Sequence, residues 1–123
     1  MQNLGSLEVP IPTITPLERG SNKKLTFTTY INAENDELFT ELTGSTILFE
    51  LRLDKKTNTI LQKATTNLAG GSTDQIDITS SSIFSLYLTE ADTKNLQDIV
   101  YWGLFTINKD FKTYKKYVQI PFI

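Results

Sequence analysis

The chain of 123 residues contains neither cysteine nor histidine. Without cysteine it can form no disulfide, thiol nucleophile or thiolate metal site. Without histidine it lacks the commonest general base and a common ligand for zinc, copper and iron. A Ser-His-Asp or Cys-His catalytic arrangement is therefore excluded within this chain. Chemistry that uses carboxylates alone, as in glycosidases, is left open.

The sequence also lacks an excess of charge of one sign and any long hydrophobic run. The chain has 12 Lys and Arg residues and 14 Asp and Glu residues, which gives a net charge of −2. No bulk basic field therefore favours the binding of nucleic acid. No stretch approaches the ~18 apolar residues of a membrane-spanning helix. The N-terminus has neither the cationic start nor the apolar run of a signal peptide. We therefore expect synthesis and folding in a cytosol.

Residues 1–18 are predicted to form an extended arm. Prolines recur at positions 10, 12 and 16, and each fixes its own φ and biases the preceding residue to extended geometry. The arm either packs on its own domain or docks on a neighbouring subunit. Its candidate contact residues are apolar: Val9, Ile11 and Ile14.

The remainder, residues 19–123, has the alternating pattern of half-buried β-strands. About seven short strands separated by turn signals predict an antiparallel β-sandwich. The clearest are at 25–31, 47–53, 59–66, 75–78, 99–107 and 117–123. The strand at 99–107 is apolar on both faces, which is typical of a central or interface strand. One or two helical turns are predicted between Leu88 and Leu96, with Thr89 as the N-cap.

Two clusters in the sequence suggest chemistry, and each has a simpler structural interpretation. Lysines alternate with aromatic residues near the C-terminus. This pattern suits stacking and phosphate contact in nucleic-acid binding. Alternatively, it marks a solvated hairpin tip whose lysines protect a sheet edge from aggregation. This cluster comprises Lys109, Phe111, Lys112, Tyr114, Lys115, Lys116 and Tyr117. Polar turns at 35–41 and 74–77 contain oxygen ligands that could bind calcium, but they lack EF-hand spacing. We therefore expect no metal and no cofactor.

Glu50 and a set of aromatic residues are the other candidates. Glu50 lies in mid-strand, and the interpretation we favour is an outward residue paired with Arg52 or a cross-strand lysine. The aromatic residues would form either a platform for a sugar or the core of the sandwich or a subunit interface. They are Tyr30, Tyr87, Tyr101, Trp102 and Phe105.

The order of three short motifs resembles a known family. Arg19-Gly20-Ser21 precedes a strand, Leu42-Thr43-Gly44 precedes another, and a Leu-Thr-x-x-Asp-Thr segment begins at Leu88. Together they resemble the Ig-like β-sandwich domain of tailed-phage virion proteins, best known as the N-terminal domain of baseplate upper proteins. The resemblance covers residues 17–123. On physical grounds, Gly44 is expected to supply a positive φ, and Arg19-Gly20 to turn the arm into the sheet.

The resemblance implies an all-β, Ig-like antiparallel sandwich of about seven strands, with one short helical turn and an extended N-terminal arm. It also implies a non-enzymatic structural component of the virion, assembled in the host cytoplasm, in the tail, baseplate or neck. Capsid decoration or head-fibre attachment is one alternative, and a carbohydrate or host-surface binding module is another. We expect contacts with other virion proteins and with further copies of the chain, and none with nucleic acid, membrane or a small-molecule ligand. Besides the three arm residues, candidate partner contacts are Tyr101, Phe105 and Phe122, which would otherwise belong to the core.

Overall fold

The computed structural model of the protein describes residues 16–32, 34–56 and 58–123. Val9, Ile11 and Ile14 lie outside the described residues. Within these ranges the chain forms nine strands and one short helix. They are β1 (Lys23–Thr28), β2 (Tyr30–Asn32), β3 (Glu37–Leu38), β4 (Thr46–Arg52), β5 (Thr59–Ala64), β6 (Ile76–Ile78), β7 (Ile83–Leu88), α1 (Glu90–Thr93), β8 (Val100–Lys109) and β9 (Lys112–Pro121).

The strands form two main antiparallel sheets. One has three strands in the order β1-β7-β6, and the other has four in the order β5-β4-β8-β9. β2 and β3 pair in a separate two-stranded ribbon. The prediction of an all-β antiparallel sandwich is therefore confirmed. The order is that of an immunoglobulin-type sandwich, in which β1, β7 and β6 stand for strands B, E and D, and β5, β4, β8 and β9 for C′, C, F and G.

Aromatic side chains from both sheets meet in the core. β4 alternates strictly between buried and half-buried residues, as a strand covered on one face must. Phe27 of β1 and Phe84 of β7 pack against Phe105 of β8, with ring centroids 5.1 and 5.3 Å away. Phe49 of β4 lies 5.0 Å from the Phe105 ring on the same sheet. Phe105 is thus the centre of the contact between the two sheets.

The helix α1 is a single capped turn. The Thr89 side chain accepts a hydrogen bond from the backbone of Asp92, and the Asp92 carboxylate accepts one from the backbone of Thr89. This reciprocal arrangement is a capping box. The predicted N-cap is therefore confirmed, and Leu88 and Leu96 are both buried at the two ends of this segment. α1 connects β7 of one sheet to β8 of the other.

Two strands differ from the sequence-based expectation. β7 was not predicted, yet it is the central strand of its sheet, between β1 and β6. The serines around it hide its pattern, because Ser82 and Ser85 are buried like apolar residues. β9 begins at Lys112, five positions before the predicted start at 117, because the β8–β9 hairpin closes through Asp110 and Phe111 alone.

Candidate functional site

The chain enters the sandwich beside its own C-terminal strand. Leu17 forms a parallel bridge with Phe122: the Leu17 N–H donates to the Pro121 carbonyl, and the Ile123 N–H donates to the Leu17 carbonyl, both at 2.9 Å. Leu17 itself is buried. The last part of the predicted arm therefore lies at the edge of the four-stranded sheet.

Arg19 and Gly20 fix this entry point. The Arg19 guanidinium donates from Nε to the Ile123 carbonyl at 3.0 Å and from Nη1 to the Leu96 carbonyl at 2.7 Å. Gly20 has a φ of 75° and donates its N–H to the Thr93 hydroxyl of α1 at 2.9 Å. Arg19 and Gly20 thus bond the entering chain to α1 and to the end of the chain after β9. The predicted role of Arg19-Gly20 in turning the chain into the sheet is confirmed.

Among the residues that the structure describes, no strand pairs with the outer edge of β9 along most of its length. The Phe122 N–H donates to Ile99, on the side of β8. Because backbone groups alternate along a strand, the N–H and C=O groups of residues 113, 115, 117 and 119 point to the other edge. Within the described part of the chain, β9 is the last strand of its sheet, and the bridge to Leu17 lies beyond its end. This edge can receive a further strand.

Three predicted partner contacts are core residues, which corrects the sequence-based expectation. Tyr101, Phe105 and Phe122 are only 3%, 0% and 2% exposed. Phe105 lies between the sheets, and the Tyr101 and Phe122 rings pack edge to face at 5.7 Å. The Tyr101 hydroxyl also accepts a 2.9 Å hydrogen bond from the Gln97 N–H, the tyrosine corner of immunoglobulin-type sandwiches. These side chains stabilise the fold and are not available to a partner.

The outer face of the four-stranded sheet carries a second aromatic cluster, which we call the outer aromatic cluster: Trp102, Tyr117 and Lys55. The Trp102 and Tyr117 rings meet edge to face with centroids 6.2 Å apart. The Lys55 ammonium lies 4.4 Å from the Trp102 centroid and 5.1 Å from the Tyr117 centroid. Trp102 is half-buried and Tyr117 is exposed. The cluster therefore presents an accessible surface that a lysine partly covers.

Glu50 also lies on this outer face, where it makes structural hydrogen bonds and an ion pair. Its carboxylate accepts hydrogen bonds from Arg52 at 3.0 Å and from the Thr59 hydroxyl at 2.5 Å. Burial works to raise the pKa of Glu50, but these hydrogen bonds and the charges of Arg52 and Lys115 outweigh it and lower the pKa. The predicted pairing of Glu50 with Arg52 is thereby confirmed. A carboxylate held ionised in this way suits an ion pair better than proton donation.

The lysine-aromatic cluster lies on the β8–β9 hairpin. Lys109 is tied down, because its ammonium donates to the Thr43 carbonyl at 2.7 Å. Lys112 and Lys115 are exposed, whereas Tyr114 is buried. Phe111 stands at the tip with its side chain fully exposed. The solvated hairpin tip is thus the arrangement observed. The sequence named Phe111 as a member of this cluster, but it did not predict that its side chain would be fully exposed at the tip of the hairpin.

Among the described residues, no group of three or more acidic side chains is placed to hold a metal ion. No helix in the same ranges has the length and apolar character needed to cross a membrane.

Comparisons with family models, with curated proteins and with solved structures find no match for this chain.

Proposed function

We propose that the chain is a non-enzymatic structural component of a tailed-phage particle that acts through protein–protein contacts. The resemblance of its three motifs to virion sandwich domains suggests the particle, with the tail, baseplate or neck as its location and the host cytoplasm as the place of assembly. Capsid decoration or head-fibre attachment would use the same contacts at another position. The sandwich provides a rigid body for such a role.

The observation that carries the proposal is the position of Leu17 at the open edge of β9. Its two backbone hydrogen bonds bring the N-terminal segment to a strand whose remaining outward N–H and C=O groups pair with no other strand among residues 16–32, 34–56 and 58–123. An extended segment that adds to such an edge gains main-chain hydrogen bonds, and its side chains give specificity. The arm of one copy, or an equivalent segment of another virion protein, would be such a partner.

The spacing of the prolines supports this mode of binding. Proline has no N–H, so it is tolerated in a strand only where that group would face away from the pairing partner. Prolines 10, 12 and 16 are all even-numbered, and in an extended chain their nitrogens would face one edge. The odd-numbered residues 9, 11, 13 and 15 would keep their N–H groups on the other edge. A strand of this kind pairs on one side only, which favours a defined contact over open-ended aggregation.

The test compares the solution mass of the full chain with that of a chain lacking residues 1–16. Light scattering after size exclusion gives both values. We expect the full chain to form a defined oligomer and the deletion to be a folded monomer, with folding checked by circular dichroism. A matched control replaces Val9, Ile11 and Ile14 with serine and keeps the length and the prolines. Equal monomer masses for all three chains would refute assembly through the arm.

Carbohydrate or host-surface binding is a second candidate, and the outer aromatic cluster is the observation that favours it. Trp102 is the only tryptophan in the chain, so its fluorescence reports directly on this surface. A sugar that stacks on the ring would have to displace Lys55 from its place 4.4 Å from the ring centroid. Titration with a panel of glycans should change Trp102 emission if this function is present. Emission that every glycan leaves unchanged would contradict it.

A further inference from the structure

The parallel bridge between Leu17 and Phe122 fixes the direction and the register of a strand that would precede Leu17 on the edge of β9. The N–H and C=O groups of Leu17 bond to Pro121 and Ile123, the two neighbours of Phe122. A parallel ladder repeats this pattern at every second residue. An extended chain that continues back from Leu17 along this edge would therefore run towards the start of β9 at Lys112, with its odd-numbered residues directed at the edge.

Backbone groups on the two sides match in this register. The outward groups of β9 belong to residues 113, 115, 117 and 119, and the arm would offer the N–H and C=O groups of residues 9, 11, 13 and 15. Prolines 10, 12 and 16, which have no N–H, would face away. The bridge in the structure and the proline spacing in the sequence are independent observations, and they select the same side of the arm. The mismatch in this register is at Pro121, which has no N–H for the C=O of residue 15.

Odd-numbered arm residues would face the interior of the sandwich. Leu17 and Phe122 stand opposite each other and are both buried, and side chains at every second position of a strand share a face. Val9 would then lie opposite Tyr114, which is buried on the inner face of β9. Val9 and Ile11 would thus extend the core along the open side of the sheet.

Even-numbered arm residues would face the outer aromatic cluster. Ile14 would lie opposite Gln119, which is exposed. Pro12 would lie opposite Tyr117, which is 42% exposed. The added strand would therefore shield part of the outer aromatic cluster from water, and the hydrophobic effect favours this burial.

The segment that enters the sandwich is bonded to the C-terminal part of the chain and is joined to β1 by a short connection. Leu17 and Arg19 bond to residues 121 and 123, and Arg19 also bonds to Leu96. Gly20 bonds to Thr93. Residues 21 and 22 alone separate Gly20 from β1. A terminal segment of this kind can make the same contacts with a second copy, so its exchange between copies costs little, and a short joint favours the exchange.

We propose that copies of the chain exchange their arms, and that residues 9–15 of one copy add to β9 of its neighbour as a parallel strand in the register of the Leu17 bridge. The inference rests on the proposed function, because both place the arm at this edge. It adds the direction of the strand, the residues that stand opposite each other and the source of the strand. A chain that lacks residues 1–16 lacks this strand and is expected to be monomeric, as the proposed function requires.

Disulfide trapping tests the register, because the chain contains no cysteine. Opposed residues on neighbouring strands lie ~4.8 Å apart, within the range that a disulfide spans. Chains that carry Ile14→Cys and chains that carry Gln119→Cys are refolded together and oxidised, and we expect a covalent pair of chains on a non-reducing gel. Thr13→Cys is the matched control: its side chain would point to the other face of the sheet, so it should form much less of this pair with Gln119→Cys.

Proline substitution tests which edge of the arm pairs. Thr13→Pro removes an N–H that would face β9, and we expect the oligomer to dissociate more than about tenfold more readily in sedimentation over a wide concentration range. Ile14→Pro is the matched control, because it removes an N–H that would face away, and it should weaken the oligomer less. Equal effects of the two substitutions would overturn the register.

The outcomes separate this inference from the proposed function. An oligomer that requires residues 1–16 but yields no covalent pair from Ile14→Cys and Gln119→Cys overturns the inference and leaves assembly through the arm intact. A chain with both substitutions that links only within one monomer overturns the exchange, and its monomeric mass also refutes assembly through the arm. A covalent pair between chains, together with dissociation caused by Thr13→Pro, supports the exchange.

Discussion

The two faces of the four-stranded sheet carry similar residues in different surroundings. On the inner face, Phe49 and Phe105 pack against the rings of the opposite sheet and are fully buried. On the outer face, Trp102 and Tyr117 meet each other, and a lysine from the β4–β5 turn covers them. The inner rings are removed from water by another layer of the fold, whereas the outer rings are only partly shielded by a flexible side chain.

The two ion pairs of the four-stranded sheet, Lys63 with Asp92 and Glu50 with Arg52, also lie on different faces. Lys63 pairs with Phe49 across the strands, on the inner face, and its ammonium reaches the Asp92 carboxylate of α1 at 2.6 Å. Lys63 is buried. Glu50 and Arg52 form their pair on the outer face, on one strand. The inner pair connects β5 to the helix that joins the two sheets, whereas the outer pair, together with the bond from the Thr59 hydroxyl of β5 to Glu50, stays within the four-stranded sheet. The contacts that join the two sheets therefore lie on the inner face of the four-stranded sheet.

The largest expected effect is that of Phe105→Ala. The substitution leaves a cavity where the rings of Phe27, Phe49 and Phe84 meet, and we expect the free energy of unfolding to fall by about 3–5 kcal/mol. Urea denaturation followed by circular dichroism measures it. Trp102→Ala, on the same strand but on the outer face, is the matched comparison and should cost clearly less. Equal losses would break the distinction between the two faces.

Gly103→Ala should have the next largest effect. A β-carbon at position 103 would lie 2.6 Å from Cε1 of Phe49 and 2.9 Å from Cγ2 of Val118, so the inner face has no room for it. Overpacking of this kind costs about 1–3 kcal/mol. Chemical denaturation gives the value, and Gly70→Ala is a useful control, because a β-carbon there meets nothing within 4 Å, although its φ of 78° also carries strain. A neutral Gly103→Ala would show that the inner packing is looser than these distances indicate.

Asp92→Asn should destabilise the fold by about 1–2 kcal/mol near neutral pH, because it weakens a capping box and leaves Lys63 without its counter-ion. Burial works to raise the pKa of Asp92, but the hydrogen bonds from Lys63 and Thr89 and the Lys63 charge together lower it. A carboxyl whose pKa is lowered on folding contributes stability above its unfolded pKa, and this is lost as the pH falls through the folded pKa. Denaturation across a pH series should therefore show the difference between wild type and variant shrinking in acid.

Glu50→Gln is the control for that experiment. The pKa of Glu50 is lowered as well, so its contribution disappears in the same direction of pH. Its partner Arg52 is half-buried on the same strand, and because Glu50→Gln disturbs no helix cap we expect a smaller loss at neutral pH than for Asp92→Asn. A larger loss for Glu50→Gln would reverse the ranking of the inner and outer ion pairs.

The smallest expected effect is that of Lys55→Ala. A cation over an aromatic ring at an exposed site contributes about 0.5–1 kcal/mol. The emission of Trp102 should change more visibly than the unfolding transition, because the variant uncovers the ring. Lys56→Ala, at the adjacent exposed position in the turn, should leave both unchanged. An identical spectrum for Lys55→Ala and wild type would mean that the lysine does not cover the ring in solution.

The sequence predicted the features that depend on local chemistry. Gly44 has a φ of 84°, as a turn before a strand requires, and Thr89 caps its helix through neighbours a few residues away. Arg19 and Gly20 turn the chain as expected. The alternating pattern correctly predicted the strand β4, in which one face is apolar and the other carries Glu50 and Arg52.

The sequence did not predict which apolar residues face inwards on β8. That strand is apolar on both faces, so its periodicity cannot distinguish Phe105 from Trp102; the neighbouring strands and the opposite sheet decide. For Tyr101, Phe105 and Phe122 the sequence left a partner contact and a place in the core both open, and the structure places all three in the core. The pairing of Lys55 with Trp102 and the position of Phe111 at the hairpin tip also depend on tertiary geometry. They became visible only once the register of β8 and β9 was known.

The parallel bridge between Leu17 and Phe122 has a mechanical consequence. Because the two segments run in the same direction, opposed forces acting at Pro16 and at Ile123 would slide them past each other along the strand axis. A pulling force applied through these two segments would load the hydrogen bonds of Leu17, Arg19 and Ile123 in shear, all at once, and would not open them one by one. The sandwich would thus transmit tension between whatever is attached at its two ends before any strand separates.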